Sequence, residues 1–268
     1  VPSILRGFSA PVVLDRKPVP GERAFLLAHD TDAFNKWEAG RALAKEVMAE
    51  MALKGMSVHA DWLDAVAAVT FDETLDPAFR ALCLRLPGED DLAQTIHAMG
   101  RIPDPAKIHA ARREMSGALA IRLGEGLHRL YKDLDDNAPF SPSADQAGRR
   151  ALKIAALGLL TRRDGGKLAA SAFARARSMT EEIGALAALL DVHQGDKELV
   201  AFAARWGRDA NVMDKWYALQ IATAEPAEAA ALTARLLETP GFDWRNPNRF
   251  RTAIGALAAN HAGFHHRS

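Results

Sequence analysis

Residues 106–134, AKIHAARREMSGALAIRLGEGLHRLYKDL, have the apolar spacing of one long α-helix. Apolar side chains recur at helical intervals and therefore share one face: Ile108, Met115, Leu119, Leu123, Leu127 and Leu130. The sequence Pro103-Asp104-Pro105, which breaks the chain, precedes the helix. We expect a helix of this length to bridge two stacks of shorter helices.

Shorter helical patterns continue on both sides of this stretch. They alternate with glycine, proline and aspartate breaks at short intervals, and alanine, a strong helix former, is abundant throughout. Roughly ten helices joined by short loops are typical of the stacked antiparallel pairs of α-solenoids. The predicted fold class is therefore all-α, a two-layer helical superhelix with a short N-terminal extended segment.

The first twenty residues differ from the rest. Residues 8–14 are rich in β-branched side chains and contain Pro11, which predicts a single edge strand. One strand is not stable alone, so its partners should lie outside this chain, or the segment packs on the helices as an extended arm. We therefore separate a linker at residues 1–20 from a helical domain at residues 21–268. A loop rich in Asp, Pro and Ser predicts a hinge near residues 135–143.

Composition narrows the classes of function. The 34 basic and 34 acidic side chains cancel, which argues against a nucleic-acid partner bound through phosphate neutralisation. No apolar run approaches the roughly 18 residues of a membrane span, and the N-terminus lacks the pattern of a signal peptide. Cys83 is the one cysteine, which suits a reducing cytoplasm, and we expect it to be a buried small hydrophobe. The missing initiator Met suggests that Val1 lies inside a longer protein.

Motifs for catalysis are missing from the sequence. It contains no His-Glu-x-x-His, no Gly-x-Ser-x-Gly and no phosphate-binding loop, so we predict no catalytic residue. His261 and His265 are four positions apart and could share a helix face, but a zinc site would need a third ligand. We predict no metal and a frayed tail here, with a small metal site as the alternative.

Two stretches are dense in unusual residues. In residues 211–220, Asn211 can cap a helix and Trp216 is expected to fill the core. In Asn246-Pro247-Asn248-Arg249-Phe250-Arg251, Asn246 suits a helix cap and Pro247 the first turn. Two arginines at a helix N-terminus oppose the macrodipole. They should therefore have a carboxylate partner, either an internal Asp or Glu or a ligand carboxylate held bidentately.

Four segments carry a family resemblance. Residues 1–12, 34–39, 212–216 and 246–251 resemble, in order and rough spacing, the C-terminal domain of bacterial-type aminopeptidase N and the join that precedes it. The family continues through further helices beyond the segment that matches residues 260–264, so we expect the superhelix to be incomplete at its C-terminus.

The resemblance implies a function for a longer protein. Members of the family are zinc-dependent exopeptidases that remove N-terminal residues from peptides, and their zinc motif and amine-binding segment lie in a thermolysin-like domain. None of those residues has a counterpart here, so this chain should lack the catalytic domain and its zinc cofactor, and be inactive alone. The family's C-terminal helical domain covers the active site and encloses a cavity. Its Asn-Pro-Asn-Arg-x-Arg segment lies near that cavity, which makes Arg251 and Arg249 the expected substrate-binding residues.

The predicted role is thus capping and substrate gating in a cytoplasmic zinc aminopeptidase. Its partners would be the catalytic domain of the longer protein and peptide substrates, with no nucleic acid and no membrane. The alternative is a free-standing helical-repeat scaffold that binds a protein on its concave face.

Overall fold

The computed structural model describes residues 1–9, 12, 16–135 and 138–267. Within these residues the chain forms one 3-10 turn, fourteen α-helices and no strand, so the all-helical prediction is confirmed. The turn is Arg6–Phe8, and the helices are α1 Glu22–His29, α2 Ala33–Lys54, α3 Ala60–Phe71, α4 Pro77–Cys83, α5 Glu89–Ala98, α6 Pro105–Asp133, α7 Ala144–Asp164, α8 Lys167–Arg175, α9 Met179–Leu190, α10 Asp196–Trp206, α11 Ala210–Thr223, α12 Ala229–Leu237, α13 Pro247–Ala259 and α14 His261–Phe264.

The chain divides into two compact units, Val1–Leu159 and Leu160–Ser268, and the division falls inside α7. The hinge near residues 135–143 stays a prediction. None of the helices in the described part of the chain is both long and apolar enough to cross a membrane.

The strand predicted at residues 8–14 falls largely on residues outside those described. Of its described members, Phe8 ends the 3-10 turn, and Ser9 and Val12 are irregular. Leu5, which precedes the turn, and Gly7 within it both adopt positive φ, 60° and 62°.

The first unit is built around the long helix α6. Its predicted apolar face is buried: Ile108, Met115, Leu119, Leu123 and Leu127 are at most 3% exposed. Helices α2 and α3 pack on α6, with their own buried side chains Val47, Met48, Val66 and Val69. Leu130, predicted on the same face, is half-buried, and the neighbouring Tyr131 is buried instead.

Helix α6 is kinked at Gly124, which the sequence pattern did not predict. Gly124 has φ 46° and ψ −131°, a conformation essentially restricted to glycine. Two residues later, Gly126 faces the ring of Phe71 on α3, and a Cβ there would lie 2.8 Å from Phe71 Cζ. The two glycines therefore serve different purposes, the first a bend and the second a close helix contact.

Two buried cations cap helix C-termini in this unit. Lys36 is 5% exposed and its Nζ donates to the carbonyls of Leu27 (3.0 Å) and Ala28 (2.8 Å), near the end of α1. Arg80, also 5% exposed, donates from Nε (2.9 Å) and Nη2 (2.7 Å) to the carbonyl of Thr70, near the end of α3. Burial lowers the pKa of both groups. The carbonyls that lack partners within the helix and the negative end of the helix dipole offset part of the free-energy cost of burying these two positive charges.

The second unit contains the pairs α8–α9 and α11–α13. Its apolar cluster is formed by Tyr217, Ile221, Leu236, Phe242 and Ala253. The predicted frayed tail is wrong, because α14 is anchored by Asn260. The Asn260 side chain donates to the carbonyls of Ile221 (3.1 Å) and Ala224 (3.0 Å) and accepts from Gly263 N (3.0 Å).

Candidate functional site

The start of α13 is the stretch that sequence analysis marked for function. Asn246 Oδ1 accepts from the backbone N–H of Asn248 (3.0 Å) and Arg249 (3.3 Å), so Asn246 is the N-cap, as predicted. Pro247 occupies the first helical position, also as predicted. The cap and the proline together fix the direction in which the next side chains leave the helix.

Arg249 turns into the protein. It is 6% exposed, and its Nε donates to the carboxylate of Asp214 on α11. Nη1 donates to the carbonyl of Gly241 (3.0 Å) and Nη2 to that of Ala210 (3.1 Å). Of the two partners expected for the arginines, the internal carboxylate is therefore the one that Arg249 has. This geometry favours a structural role for Arg249 over contact with a peptide.

A ring also covers the Arg249 guanidinium. Its central carbon lies 4.9 Å from the ring centroid of Tyr217, a cation–π distance. Asp214 and Tyr217 are the partners that sequence reasoning missed. Both lie in or beside the Val-Met-Asp-Lys-Trp segment that carried the family resemblance, but nothing in a single sequence pairs position 214 with position 249.

Arg251 is exposed on the same helix. Among the residues that the structure describes, no hydrogen bond or ion pair of its guanidinium is found. Arg249 and Arg251 are thus not brought together as one binding site, because one faces inward and the other faces solvent. The role of Arg251 in binding stays a prediction.

A row of aromatic rings connects α11 with the start of α13. Ring centroids are 5.0 Å apart for Trp216–Tyr217, 5.4 Å for Tyr217–Phe242, 5.2 Å for Phe242–Trp244 and 5.9 Å for Trp244–Phe250. The row begins in the core, where Tyr217 is 3% exposed, and ends at the surface, where Trp244 is 54% exposed. The first three contacts are edge-to-face and the last is tilted. Because aromatic pairs of this kind add stability beyond area burial, the exposed rings of Trp244 and Phe250 are connected to the buried rings of Tyr217 and Phe242.

Two sequence predictions for α11 need correction. Asp209, not Asn211, is the N-cap, and its Oδ1 accepts from the N–H of Asn211 (3.0 Å) and Val212 (3.1 Å). Trp216 is half-buried rather than a core side chain. Its Nε1 donates to the carbonyl of Leu199 (3.1 Å), which keeps the polar edge of the indole satisfied at the boundary of the core.

The first unit contains a concave region of about 610 Å³ that is bordered by residues 17–21 and by α1, α2 and α3. Several of its charged groups pair with one another: Arg23 contacts Glu46, and Glu50 accepts from Lys54 and faces His59, both at 3.1 Å.

A smaller pocket, about 160 Å³, is lined by Trp37, Trp62 and Cys83. Cys83 is half-buried rather than buried as predicted. The burial that it has raises the pKa of its thiol to about 11.

Within the described ranges, no three His, Cys, Asp or Glu side chains are grouped so that they could hold a metal ion. His261 lies on α14, and His265 is the residue that follows this four-residue helix.

The family described as "Domain of unknown function (DUF3458_C) ARM repeats" matches residues 20–268. The chain belongs to this family. The ARM-repeat assignment confirms the solenoid class predicted from the spacing of the helices.

Relatives with a stated activity match nearly the whole domain. Aminopeptidase N of Caulobacter vibrioides is 37% identical over 98% of this chain, and that of Escherichia coli is 30% identical over 99%. Each alignment covers 31% of the relative, so this ARM-repeat domain spans about a third of the proteins it matches. It corresponds to the C-terminal helical domain of aminopeptidase N homologues, which confirms the resemblance.

A solved structure has the same fold. Aminopeptidase A of Legionella pneumophila, determined in complex with aspartic acid, superposes with a TM-score of 0.84. It is 23% identical and is covered over 32% of its length, against 97% of this chain. At this identity the likeness concerns the fold.

Proposed function

We propose that this ARM-repeat domain caps the active site and gates substrate access in a zinc-dependent aminopeptidase that removes N-terminal residues from peptides. The observation that carries the proposal is the match to aminopeptidase N over 98% of the chain. A solenoid offers an extended surface rather than a compact catalytic centre, which suits a domain that shapes access instead of performing the reaction.

Zinc would belong to another part of the longer protein. The sequence has no His-Glu-x-x-His, and the described residues provide no cluster of three ligands, so the residues of this chain do not fit a zinc site. We therefore derive no catalytic step from them. The contribution of this domain would be to exclude water, to limit the size of the substrate and to contact the peptide beyond the scissile bond.

Arg251 is the residue proposed to meet the peptide. It stands near the start of a capped helix, where backbone N–H groups and the helix dipole already favour anions, and its guanidinium has no acceptor among the described residues. An arginine in this setting can bind a peptide carboxylate or carbonyl on the leaving-group side. Arg249 cannot share this task while it pairs with Asp214, so its own proposed role is to hold α13 in place.

The proposal that catalysis and zinc binding belong to another part of the longer protein can be tested directly. The purified chain should show no turnover of an amino-acid chromogenic amide and no stoichiometric zinc after dialysis. The longer aminopeptidase that carries this domain should cleave the amide and should retain stoichiometric zinc, and a chelator should abolish its turnover. Chelator-sensitive turnover by the chain alone would contradict the proposal, and so would a longer protein that neither binds zinc nor cleaves the amide.

A further inference from the structure

The segment Ser3–Gly7 is fastened to the corner between α1 and α2. We call this segment the strap; the corner consists of residues 30–32 and Asn35. Asn35 Nδ2 donates to Ser3 Oγ (2.9 Å) and to the carbonyl of Ile4 (2.9 Å). These two hydrogen bonds hold the first half of the strap.

Charged groups hold the second half. Arg6 Nη1 donates to Asp30 Oδ1 (3.1 Å), and Arg6 Nη2 donates to Thr31 Oγ1 (2.8 Å). The backbone N–H of Gly7 donates to Asp32 Oδ2 (3.1 Å). The Asp30 side chain is only 1% exposed, whereas that of Arg6 is 48% exposed. The strap therefore covers a carboxylate and supplies its counter-charge.

The corner does not need the strap for its own geometry. Asp32 Oδ1 caps α2 by accepting from Asn35 N (2.9 Å), and Asp30 Oδ1 accepts from Asp32 N (2.9 Å). Lys36 caps α1 from the next position. If the strap left, Asp30 and Asp32 would be hydrated and both helices would keep their caps.

Leu5 couples the two halves. It has φ 60°, in the left-handed region that non-glycine residues rarely adopt. Asn35 binds the strap before Leu5 and the corner binds Arg6 and Gly7 after it. Arg6 Nη1 also donates to Ser3 Oγ (3.1 Å), which joins the two halves directly. Once either half is lost, relaxation of Leu5 removes the geometry that the other half requires.

We propose that the strap opens and closes on this corner as one unit, without unfolding the helices, and that Asn35 is its positioning residue. The strap then sets the direction in which the chain enters the first helical pair. In the longer aminopeptidase this would make the junction with the preceding domain a releasable joint, and that part of the inference rests on the proposed function.

Tryptic cleavage after Arg6 measures the opening. A protease needs an extended segment, and the closed strap holds the bond between Arg6 and Gly7 within a 3-10 turn. Asn35→Ala removes two donors to the strap and leaves the α2 cap, which uses only the Asn35 backbone. Asn211→Ala is the matched control, an asparagine in the first turn of α11 with no side-chain hydrogen bond found among the described residues.

Loss of two hydrogen bonds should speed cleavage after Arg6 about tenfold or more in Asn35→Ala. The melting temperature should fall by no more than about 5 °C, and Asn211→Ala should be cleaved at the unsubstituted rate. Equal rates in all three proteins would overturn the proposal, as would an equal acceleration of cleavage at sites inside the helices, because that would show cleavage through unfolding of the helices rather than opening of the strap. The assay does not involve peptidase activity. The strap proposal can therefore fail while the proposed function holds, and the proposed function can fail while the strap proposal holds.

Discussion

Arg249 donates from Nε to the carboxylate of Asp214, and the two side chains are only 7% and 15% exposed. The pair joins α11 to α13 across 35 positions of sequence. Removal of one partner leaves an uncompensated charge in a largely dry site, which costs about 3–5 kcal/mol in comparable cases.

We therefore expect Asp214→Ala and Arg249→Ala each to lower the free energy of unfolding by about 3–5 kcal/mol, measured by denaturant titration. Arg251→Ala is the control two positions away, and it should change the stability by less than about 0.5 kcal/mol. Equal small effects of all three substitutions would show that the buried pair does not anchor α13.

The aromatic residues of α11 should differ in their contribution to stability. Tyr217 is 3% exposed and contacts both Trp216 and Phe242 edge-on, so Tyr217→Ala should cost about 3–5 kcal/mol. Trp216→Phe keeps an aromatic ring at this half-buried position and loses the hydrogen bond to the Leu199 carbonyl, at a cost of about 1 kcal/mol. Denaturant unfolding measures the loss of stability in each variant. A larger loss for Trp216→Phe than for Tyr217→Ala would show that the core is centred on Trp216.

The kink in α6 gives a paired test on one helix. Gly124→Ala forces a side chain into φ 46° and should destabilise the chain by about 1–3 kcal/mol. Gly117 lies in the same helix, and a Cβ there would meet nothing within 4 Å. Gly117→Ala should therefore stabilise by about 0.5–1 kcal/mol. Thermal unfolding distinguishes the two signs, and a neutral Gly124→Ala would mean that the helix can straighten at no cost.

Local signals in the sequence predicted the helices well, but not their interruptions. Asn246-Pro247 starts a helix, as predicted, because the cap and the proline act within three residues. The Gly124 kink was missed because a single glycine is tolerated inside a straight helix and only tertiary contacts decide its φ.

Polar residues close together were harder to assign. Asp209 and Asn211 can both cap, and their order on α11 was resolved only in three dimensions. Of the two arginines near the start of α13, Arg249 has an internal carboxylate, one of the two partners expected, and the partner of Arg251 stays a prediction. Whether an arginine pairs with a carboxylate inside the protein depends on the helix face from which it projects and on where α11 lies. Each step of one residue along a helix rotates the side chain by about 100°, so neighbouring positions face different surroundings.

Cys83 should react slowly with thiol reagents. Burial raises its pKa from 9.0 to about 11, so at pH 8 the thiolate fraction should be about a hundredfold below that of an unburied thiol. The rate of modification by a disulfide reagent should rise with pH until about pH 11 in the folded chain. In denaturant the rise should end near pH 9. Matching pH profiles in the two states would contradict the assigned environment.

The strap should loosen in acid. The pKa of Asp30 is raised by burial, but the Asp32 N–H, the Ser3 hydroxyl and Arg6 outweigh this and bring it below the ordinary value. The pKa of Asp32 is lowered first by the Asn35 N–H, then by Gly7 N–H and Arg6. Because both folded pKa values are depressed, the stabilisation is complete above the ordinary carboxyl range and is lost as the pH falls through the lowered values.

The amide resonance of Gly7, which donates to Asp32, reports this loosening. It should stay constant from neutral pH down to about pH 4 and then move toward its random-coil position. The amide of Lys107, which donates to the capping residue Asp104 of α6, is the control for a carboxylate–amide hydrogen bond that does not involve the strap. If Gly7 showed no acid transition while the helices stayed folded, the carboxylates would not be what holds the strap.

Arg251 is proposed to meet the peptide, whereas Arg249 is proposed to hold α13 in place. The ratio of KM values for Arg251→Ala and the unsubstituted longer aminopeptidase, measured with a tripeptide and with a single-residue chromogenic amide, separates the two roles. A contact remote from the reacting carbonyl contributes mainly uniform binding. KM for the tripeptide should therefore rise more than kcat falls, and the amide should be nearly unaffected. Equal changes for both substrates, together with a lowered melting temperature, would contradict the account.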